Sequence, residues 1–185
     1  MLLTNDGGNF WEEIELELEG RPSLVHFLAD GRHGWLIENR LTPDGEEISS
    51  CLHSSADGGR RWQQVSLFGR EIGDLCVLDA ETLFVAGADG FVSVTSDGGR
   101  NWIRSNTRCR GFINSLCFHD RNQGLALSDF GTLLLTEDGA KTWQKVGGLK
   151  RVGNLVAAYF LSDTRAIIVS SLGIHLLELS RGSAL

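Results

Sequence analysis

One short phrase recurs four times in the sequence and divides the chain into units of similar length. Each copy reads Ser or Thr, any residue, Asp, Gly, then Gly or Ala, two further residues and Trp. The copies are TNDGGNFW at 4–11, SADGGRRW at 55–62, TSDGGRNW at 95–102 and TEDGAKTW at 136–143. Four of the five tryptophans occupy the last position of the phrase, so it marks an internal repeat with a period of about 40 residues.

The residue types of the phrase predict a hairpin turn held by side-chain hydrogen bonds. The Asp carboxylate can accept bonds from backbone N–H groups just ahead of it, and the Gly adopts backbone angles that other residues resist. We expect the Trp to open the next strand and to bury its ring against a neighbouring sheet. A calcium site would need about 6–8 oxygen ligands and each turn offers one carboxylate, so no metal is expected. The residues given this structural role are Thr4, Asp6, Gly8, Trp11, Ser55, Asp57, Gly59, Trp62, Thr95, Asp97, Gly99, Trp102, Thr136, Asp138 and Trp143.

Short aliphatic runs bounded by Gly, Asp or Asn precede the phrase and are typical of β-strands. DLCVLDA, TLFVAGADG and FVSVTS precede Asp97, and NSLCFHD, QGLALSDFG and TLLLTE precede Asp138. Four strands in about 40 residues, repeated, predict an all-β propeller of four-stranded antiparallel blades. In each blade the Asp turn would join the third strand to the fourth.

The whole chain, 1–185, is predicted to form one propeller domain. Its parts are the end of a blade at 1–19, blades at 23–67, 73–105 and 112–146, and an incomplete blade at 154–180. Residues 9–19 contain an alternation of Glu and aliphatic side chains and would supply the missing fourth strand of the last blade. Three arrangements stay open: closure within one chain, a homodimer that completes a larger ring, and a fragment of a longer parent.

The repeated phrase resembles the Asp-box, or BNR repeat, found in sialidases, sortilin-type receptors and other propellers. The wider unit, including FLADGRHGWLIEN at 27–39 and the run at 111–143, resembles the photosystem II stability/assembly factor family. The resemblance covers residues 2–177 and implies a non-enzymatic propeller that acts as an assembly chaperone or scaffold. The sequence departs from the pattern in having Ala140 where the other copies have Gly, and in having about four blades, fewer than the family normally has.

Basic residues collect in the loops that would join the fourth strand of one blade to the first strand of the next. The chain has 24 acidic and 17 basic residues, a net charge of -7, so a nucleic-acid partner is not expected. Clustered cations suit the carboxylates of an acidic protein surface, which is the expected partner. The long hairpin at 37–51 would project from the same face. The predicted partner-binding residues are Arg70, Arg104, Arg108, Arg110, Lys150 and Arg151.

The alternative function is a sialidase-like glycosidase or a carbohydrate-binding propeller. A sialidase-like site implies an arginine triad, a Tyr nucleophile activated by Glu and an acid/base Asp. The sequence has one tyrosine, Tyr159, within the apolar run LVAAYF. Histidines are scattered without a Ser/His/Asp or Cys/His grouping, so we expect no catalytic residues, no cofactor and no enzyme activity.

The cysteines and the N-terminal sequence bear on the compartment. Cys51, Cys76, Cys109 and Cys117 form no C-x-x-C pair, so reduced and mostly buried thiols are expected. No signal peptide and no membrane-spanning apolar run is visible. The expected compartment is therefore the cytoplasm by default, or the periplasm or thylakoid lumen if the chain is a fragment of a longer precursor.

Overall fold

The computed structural model describes residues 1–41, 45, 48–147 and 153–179. Within these ranges, Phe130 is described by its backbone alone. The tip of the long hairpin (except Gly45) and the predicted binding residues Lys150 and Arg151 therefore lie outside the described residues. The chain divides into two compact units, Met1–Glu71 and Ile72–Leu185. No helix in the described part of the chain is long and apolar enough to span a bilayer.

The first unit contains a two-stranded and a four-stranded antiparallel sheet. Its strands are β1 (Leu2–Leu3), β2 (Glu12–Glu13), β3 (Arg21–Phe27), β4 (Gly34–Leu41), β5 (Ile48–Ser55) and β6 (Gln63–Phe68). β1 pairs with β2, and the four-stranded sheet has the order β3-β4-β5-β6. Trp35, Leu36 and Ile37 are successive residues of β4 and all are buried, so this central strand is covered on both faces.

The second unit contains two four-stranded antiparallel sheets and one three-stranded sheet. The leading sheet has β7 (Ile72–Val77), β8 (Leu83–Gly87), β9 (Phe91–Thr95) and β10 (Ile103–Arg104). The middle sheet has β11 (Ile113–Phe118), β12 (Gly124–Ser128), β13 (Thr132–Thr136) and β14 (Gln144–Lys145). The last sheet has β15 (Leu155–Ser162), β16 (Arg165–Ser170) and β17 (Gly173–Glu178). Each sheet follows sequence order, with single-turn 3-10 segments at Ala88–Gly90 and Asp129–Gly131.

The three sheets of the second unit pack face to face through two apolar clusters. Phe84 of the leading sheet stacks on Phe118 of the middle sheet with ring centroids 3.6 Å apart, and Trp143 meets Phe118 edge-on. The opposite face of the middle sheet carries Leu125 and Leu127, which pack against the last sheet in the second cluster. Burying one side chain of this size contributes about 1.5–3 kcal/mol, so these clusters account for much of the stability of the unit.

The four Asp turns share one hydrogen-bond pattern. In the third turn the Thr95 hydroxyl donates to Asp97 Oδ1 at 2.8 Å and accepts from the Gly99 N–H at 3.0 Å. Asp97 Oδ1 also accepts from the Arg100 and Asn101 N–H groups at 3.0 and 2.9 Å. Hydrogen bonds from the backbone and side chain of Asn101 and from Thr95 lower the pKa of Asp97 to about 2. The residue that donates to the hydroxyl has a positive φ in every turn: Gly8, Gly59, Gly99 and Ala140.

The tryptophans that end the Asp turns differ in burial, contrary to the expectation that all four rings are buried. Trp143 is 7% exposed, whereas Trp11 is 52% exposed. Trp62 and Trp102 are half-buried, and each indole N–H donates to the carbonyl of a turn glycine at 2.9 Å. The strands that follow Trp11, Trp102 and Trp143 have only two residues each.

The N-terminal segment forms a shorter strand than its sequence predicts. The alternation of Glu and aliphatic residues indicates a strand that reaches Glu19, but β2 ends at Glu13. Its partner β1 has two residues, with register Leu2↔Glu13 and Leu3↔Glu12. Residues 14–19 alternate between half-buried and exposed side chains, yet they pair with no strand in the described part of the chain.

A buried ionic cluster lies within the four-stranded sheet of the first unit. The Glu38 carboxylate has no exposed surface, and it accepts hydrogen bonds from Arg40 and His53 at 2.8 Å and from the Gly20 N–H. Burial by itself raises the pKa of Glu38, but these hydrogen bonds lower it to about 2. The carboxylate therefore stays charged and paired, which its burial requires.

All four cysteines are free thiols in the structure. Cys51 is buried and the other three are half-buried, so burial is less complete than the sequence indicates. Burial raises the pKa of Cys76 to about 12. This thiol is therefore a poor nucleophile at neutral pH.

Candidate protein-binding loop in the second unit

Residues 104–111, named here the basic loop, connect the outer strand of the leading sheet to the first strand of the middle sheet. Their side chains alternate in exposure: Ser105 and Thr107 are buried and Cys109 is half-buried. The residues between them, Arg104, Asn106, Arg108 and Arg110, are exposed. The loop thus has an inner row of small polar side chains and an outer row that is mainly cationic.

The inner row attaches the loop to both flanking sheets. The Thr107 hydroxyl donates to the Gly90 carbonyl at 2.7 Å, at the turn before β9. The Ser105 hydroxyl donates to the Ala140 carbonyl and accepts from the Trp143 indole N–H at 2.7 Å, in the Asp turn of the middle sheet. Buried hydrogen bonds of this kind are costly to break, so they hold the loop in one conformation.

Two glycines allow the loop to approach the sheets closely. A Cβ on Gly90 would lie 2.1 Å from the Cys109 carbonyl oxygen, and Gly90 has φ +64°. A Cβ on Gly111 would lie 2.1 Å from Asp129 Oδ1. The Gly90 N–H also donates to the Gly111 carbonyl at 2.7 Å. A larger residue at Gly90 would displace the loop backbone, and one at Gly111 would displace the Asp129 and Ser128 side chains or the loop.

The outer row presents cations that have no carboxylate partner among the residues the structure describes. Arg104 lies over the Phe91 ring, with its guanidinium 5.7 Å from the ring centroid. Arg108 has φ +53°, and its N–H donates to Asn106 Oδ1 at 3.3 Å. Arg104, Arg108 and Arg110 form no ion pair with any described residue. Their hydrogen-bond donors are therefore available to a ligand.

Open clefts lie on both sides of the basic loop. One has a volume of about 610 Å³ and is lined by the loop and by Asp89 and Gly90. The other has a volume of about 510 Å³ and extends from the loop to Asp129, Trp143 and Lys145. Four cations and two carboxylates line the pair of clefts, so the region is positive although the chain as a whole is acidic.

The structure brings together half of the predicted binding residues. Arg104, Arg108 and Arg110 share the basic loop, whereas Arg70 belongs to the first unit, between β6 and β7. The sequence analysis did not predict Lys145, which lines the second cleft, because this residue lies in the strand β14 and not in an interstrand loop. No group of three His, Cys, Asp or Glu side chains arranged to hold a metal occurs among the described residues.

The chain is similar in sequence to a photosystem II assembly protein. Photosystem II assembly lipoprotein Ycf48 of Synechococcus sp. (strain CC9902) is 26% identical over 147 residues, which are 76% of this chain and 41% of that protein. No protein-family model matches the chain. The chain thus spans less than half the length of this curated relative.

Solved structures show the same fold. YCF48 bound to D1 peptide matches with a TM-score of 0.65 and 21% identity, covering 96% of this chain and 60% of that one. YCF48 from Cyanidioschyzon merolae matches with a TM-score of 0.61 and 17% identity, covering 96% of this chain and 76% of that one. The expectation of an all-β propeller fold with four-stranded antiparallel sheets is confirmed by these matches and by the strand topology.

A GH74 enzyme also shares the fold. The GH74 enzyme of Niastella koreensis matches with a TM-score of 0.58 and 14% identity, covering 80% of this chain and 27% of that one. At this identity the likeness concerns the fold and carries no information about activity.

Proposed function

We propose that the chain is a non-enzymatic assembly factor or scaffold that binds an acidic segment of another protein through the basic loop. The observation that carries this proposal is the alternation within the loop, in which buried anchors hold Arg104, Arg108 and Arg110 outward and unpaired. The relation to a photosystem II assembly lipoprotein, and a fold shared with YCF48 bound to D1 peptide, support a protein partner.

The chemistry of the loop favours carboxylates. A guanidinium group can donate two parallel hydrogen bonds to one carboxylate, and such charge-assisted bonds are about twice as strong as neutral ones. The anchors hold the loop in place before binding, so less conformational entropy is lost when the partner docks. An acidic peptide in extended form can lie along the clefts and meet more than one arginine.

Binding of a fluorescently labelled acidic peptide, followed by anisotropy, tests the proposal. The variant Arg104→Glu, Arg108→Glu, Arg110→Glu should weaken binding at least about tenfold, and affinity for the wild-type chain should fall as salt rises. The matched control reverses three exposed cations outside the loop: Arg32→Glu, Arg61→Glu and Lys141→Glu. Full affinity of the loop variant, or equal losses in both triple variants, would refute a specific role for the loop.

A glycosidase or carbohydrate-binding propeller is the second candidate, because a GH74 enzyme shares the fold. The sequence offers one tyrosine, Tyr159, which is 60% exposed on β15 of the last sheet. Turnover of a fluorogenic sialoside by the wild-type chain, abolished in Tyr159→Phe, would favour this candidate over the scaffold. No turnover is expected.

The compartment follows from the same proposal. The curated relative is named a lipoprotein, which favours the periplasm or the thylakoid lumen over the cytoplasmic default. We infer that the partner is a photosystem II subunit if the host is photosynthetic. Fractionation of host cells, with the chain detected by antibody, tests the compartment, and recovery in the cytosol would contradict it.

A further inference from the structure

An open cleft of about 620 Å³ lies in the first unit, at the start of β3, the end of β4 and the start of β5. We name it the Arg40 cleft. Its polar wall and its apolar rim contain Glu19, Arg21, Asn39, Arg40, Leu41 and Ile48. The proposed function does not involve this cleft, because the basic loop belongs to the second unit. Small-molecule sites have volumes of about 300–1,000 Å³, so the cleft is large enough for a small ligand.

A buried acid of the sheet holds Arg40 in place. Arg40 Nη2 donates to Glu38 Oε2 at 2.8 Å and to Gln64 Oε1 at 3.2 Å. Glu38 is the fifth residue of β4, whereas the fifth residues of β8 and β12 are Gly87 and Ser128. The fold therefore does not require an acid at this position. The effect of Glu38 in the first unit is to fix the Arg40 guanidinium beside the cleft.

An exposed carboxylate of the chain itself pairs with the other terminal nitrogen of Arg40. Arg40 Nη1 donates to Glu19 Oε2 at 2.9 Å. The Glu19 side chain is 80% exposed, whereas that of Arg40 is 20% exposed. An ion pair with an exposed partner is weak, so a second carboxylate can displace Glu19. The pair also shows which chemical group Arg40 accepts at this point.

Two further side chains add hydrogen-bond donors to the cleft. Arg21 is exposed and forms no ion pair with any residue that the structure describes. The side-chain oxygen of Asn39 accepts a hydrogen bond from the Ser50 hydroxyl. The amide NH2 group of Asn39 is therefore the half of this side chain that is left to donate to a ligand. Two guanidinium groups and an amide favour an anion, and guanidinium groups suit a carboxylate.

The rim of the cleft is apolar on one side. Leu41 and Ile48 lie opposite each other as the last pair of the β4–β5 ladder. Leu41 is 69% exposed. A ligand whose carboxylate reaches the arginines can place a hydrocarbon chain against this pair. The lining therefore favours an acid with an apolar chain over an inorganic anion.

We propose that the Arg40 cleft binds a small monocarboxylate with an apolar chain, whose carboxylate displaces Glu19 from Arg40. Arg40 and Arg21 bind the carboxylate, and Leu41 and Ile48 contact the chain. Glu38 holds Arg40 before the ligand arrives, so little side-chain entropy is lost on binding. Glu19 acts as an internal competitor that moves into water when the ligand binds.

Titration of the ¹⁵N-labelled chain with hexanoate, followed by amide chemical shifts at constant ionic strength, tests the proposal. Saturable shifts should occur at Gly20, Arg21, Asn39 and Arg40. Hexanamide, which has the same chain without the charge, should cause no saturable shift at these residues. Shifts that do not saturate, or equal shifts with hexanamide, would overturn the proposal.

Substitutions on the polar wall test the role of each charge. Glu19→Gln should raise the affinity for hexanoate about two- to fivefold, because a weak competing pair is removed. The matched control is Glu17→Gln, which removes an exposed carboxylate that has no ion pair with any described residue. It should leave the affinity unchanged. Equal effects of these two substitutions would count against the displacement of Glu19.

Two arginine substitutions complete this series. Arg21→Gln should weaken hexanoate binding about tenfold, and the exposure of this side chain makes it safe for folding. Arg40→Lys keeps a positive charge beside Glu38 but lacks the planar fork of donors, so it should also weaken binding about tenfold. Unchanged affinity in the folded Arg21→Gln chain would show that the carboxylate does not bind in this cleft.

The loop variant Arg104→Glu, Arg108→Glu, Arg110→Glu separates this site from the proposed function. It should bind hexanoate as the wild-type chain does, whereas Arg21→Gln should keep wild-type affinity for the labelled acidic peptide. Loss of hexanoate binding in the loop variant would assign the carboxylate to the basic loop and overturn the proposal. Displacement of hexanoate by the acidic peptide would identify the occupant as a protein segment, which also overturns it.

Discussion

Substitution of Gly90 by alanine should damage the basic loop from a position outside it. Gly90 has φ +64°, and an added Cβ would lie 2.1 Å from the Cys109 carbonyl oxygen and 3.0 Å from Thr107 Oγ1. The left-handed conformation costs a residue with a Cβ about 1–2 kcal/mol. The loop must also move away, which breaks the Thr107–Gly90 hydrogen bond, and a bond of this kind contributes about 1 kcal/mol.

Gly131 is the matched control because it occupies the equivalent turn of the middle sheet. Its φ is +70°, so the conformational cost of an alanine is similar, but the nearest atom to an added Cβ is 3.3 Å away. We therefore expect Gly131→Ala to lower the free energy of unfolding by about 1–2 kcal/mol. Gly90→Ala should lower the free energy of unfolding by about 3 kcal/mol, because the cost of displacing the loop is added to the same backbone strain.

Urea denaturation followed by tryptophan fluorescence measures the two stabilities, and peptide anisotropy measures binding by the folded proteins. Gly90→Ala should weaken peptide binding because Arg108 and Arg110 move with the Cys109 carbonyl. Gly131→Ala should bind as the wild-type chain does. We propose that the close contact between the loop and the Gly90 turn positions the arginines. Equal destabilisation by the two substitutions, together with unchanged peptide binding by Gly90→Ala, would refute this.

Three further predictions concern the fold. The pKa of Asp97 lies at about 2, below the 3.8 of a free Asp, so its contribution to stability is present above about pH 4 and is lost as the pH falls towards 2. Asp97→Asn should therefore flatten the acid-induced decline of the urea midpoint, and an unchanged decline would contradict this. Ser105→Ala leaves the buried Trp143 indole N–H without its partner and should cost about 1–3 kcal/mol of unfolding free energy. Glu38→Gln leaves Arg40 without its buried counter-charge and should cost about 3 kcal/mol, and a thermal midpoint equal to wild type would argue against a charged Glu38.

The repeat predicts the strands and turns well because their causes are local. β9 and β13 coincide within one residue with the runs FVSVTS and TLLLTE. The hydrogen bonds of each Asp turn join residues within the turn, so the spacing of those residues in the sequence is enough to predict it. Burial of the tryptophans is less predictable, since it depends on whether another sheet lies over each ring.

The alternation of buried and exposed side chains in the basic loop could not be predicted from the sequence. Ser105 and Thr107 are buried because their hydroxyls donate hydrogen bonds to the carbonyl groups of Ala140 and Gly90. Both acceptors lie in turns that are distant from the loop in sequence. Composition therefore indicates a basic loop but does not say which side chains face outward. A further repeated element, in which Asp30, Asp79 and Asp120 each accept two N–H bonds at the hairpin between first and second strands, also went unrecognised.

In the basic loop, residues that anchor the loop to the sheets alternate with exposed residues that are mainly cationic, so anchoring and ligand contact are assigned to different positions. The buried hydroxyls at positions 105 and 107 bond to the scaffold, whereas the exposed side chains at 104 and 106 make only surface contacts, with the Phe91 ring and the Arg108 N–H. Arg108 has a positive φ, which restricts replacement at that position. Positions 104, 106 and 110 can accordingly be varied together at a lower cost in stability than the buried positions. A display library built on those three codons would alter ligand preference while the framework stays the same, so the same architecture can acquire new partners by exchanging side chains alone.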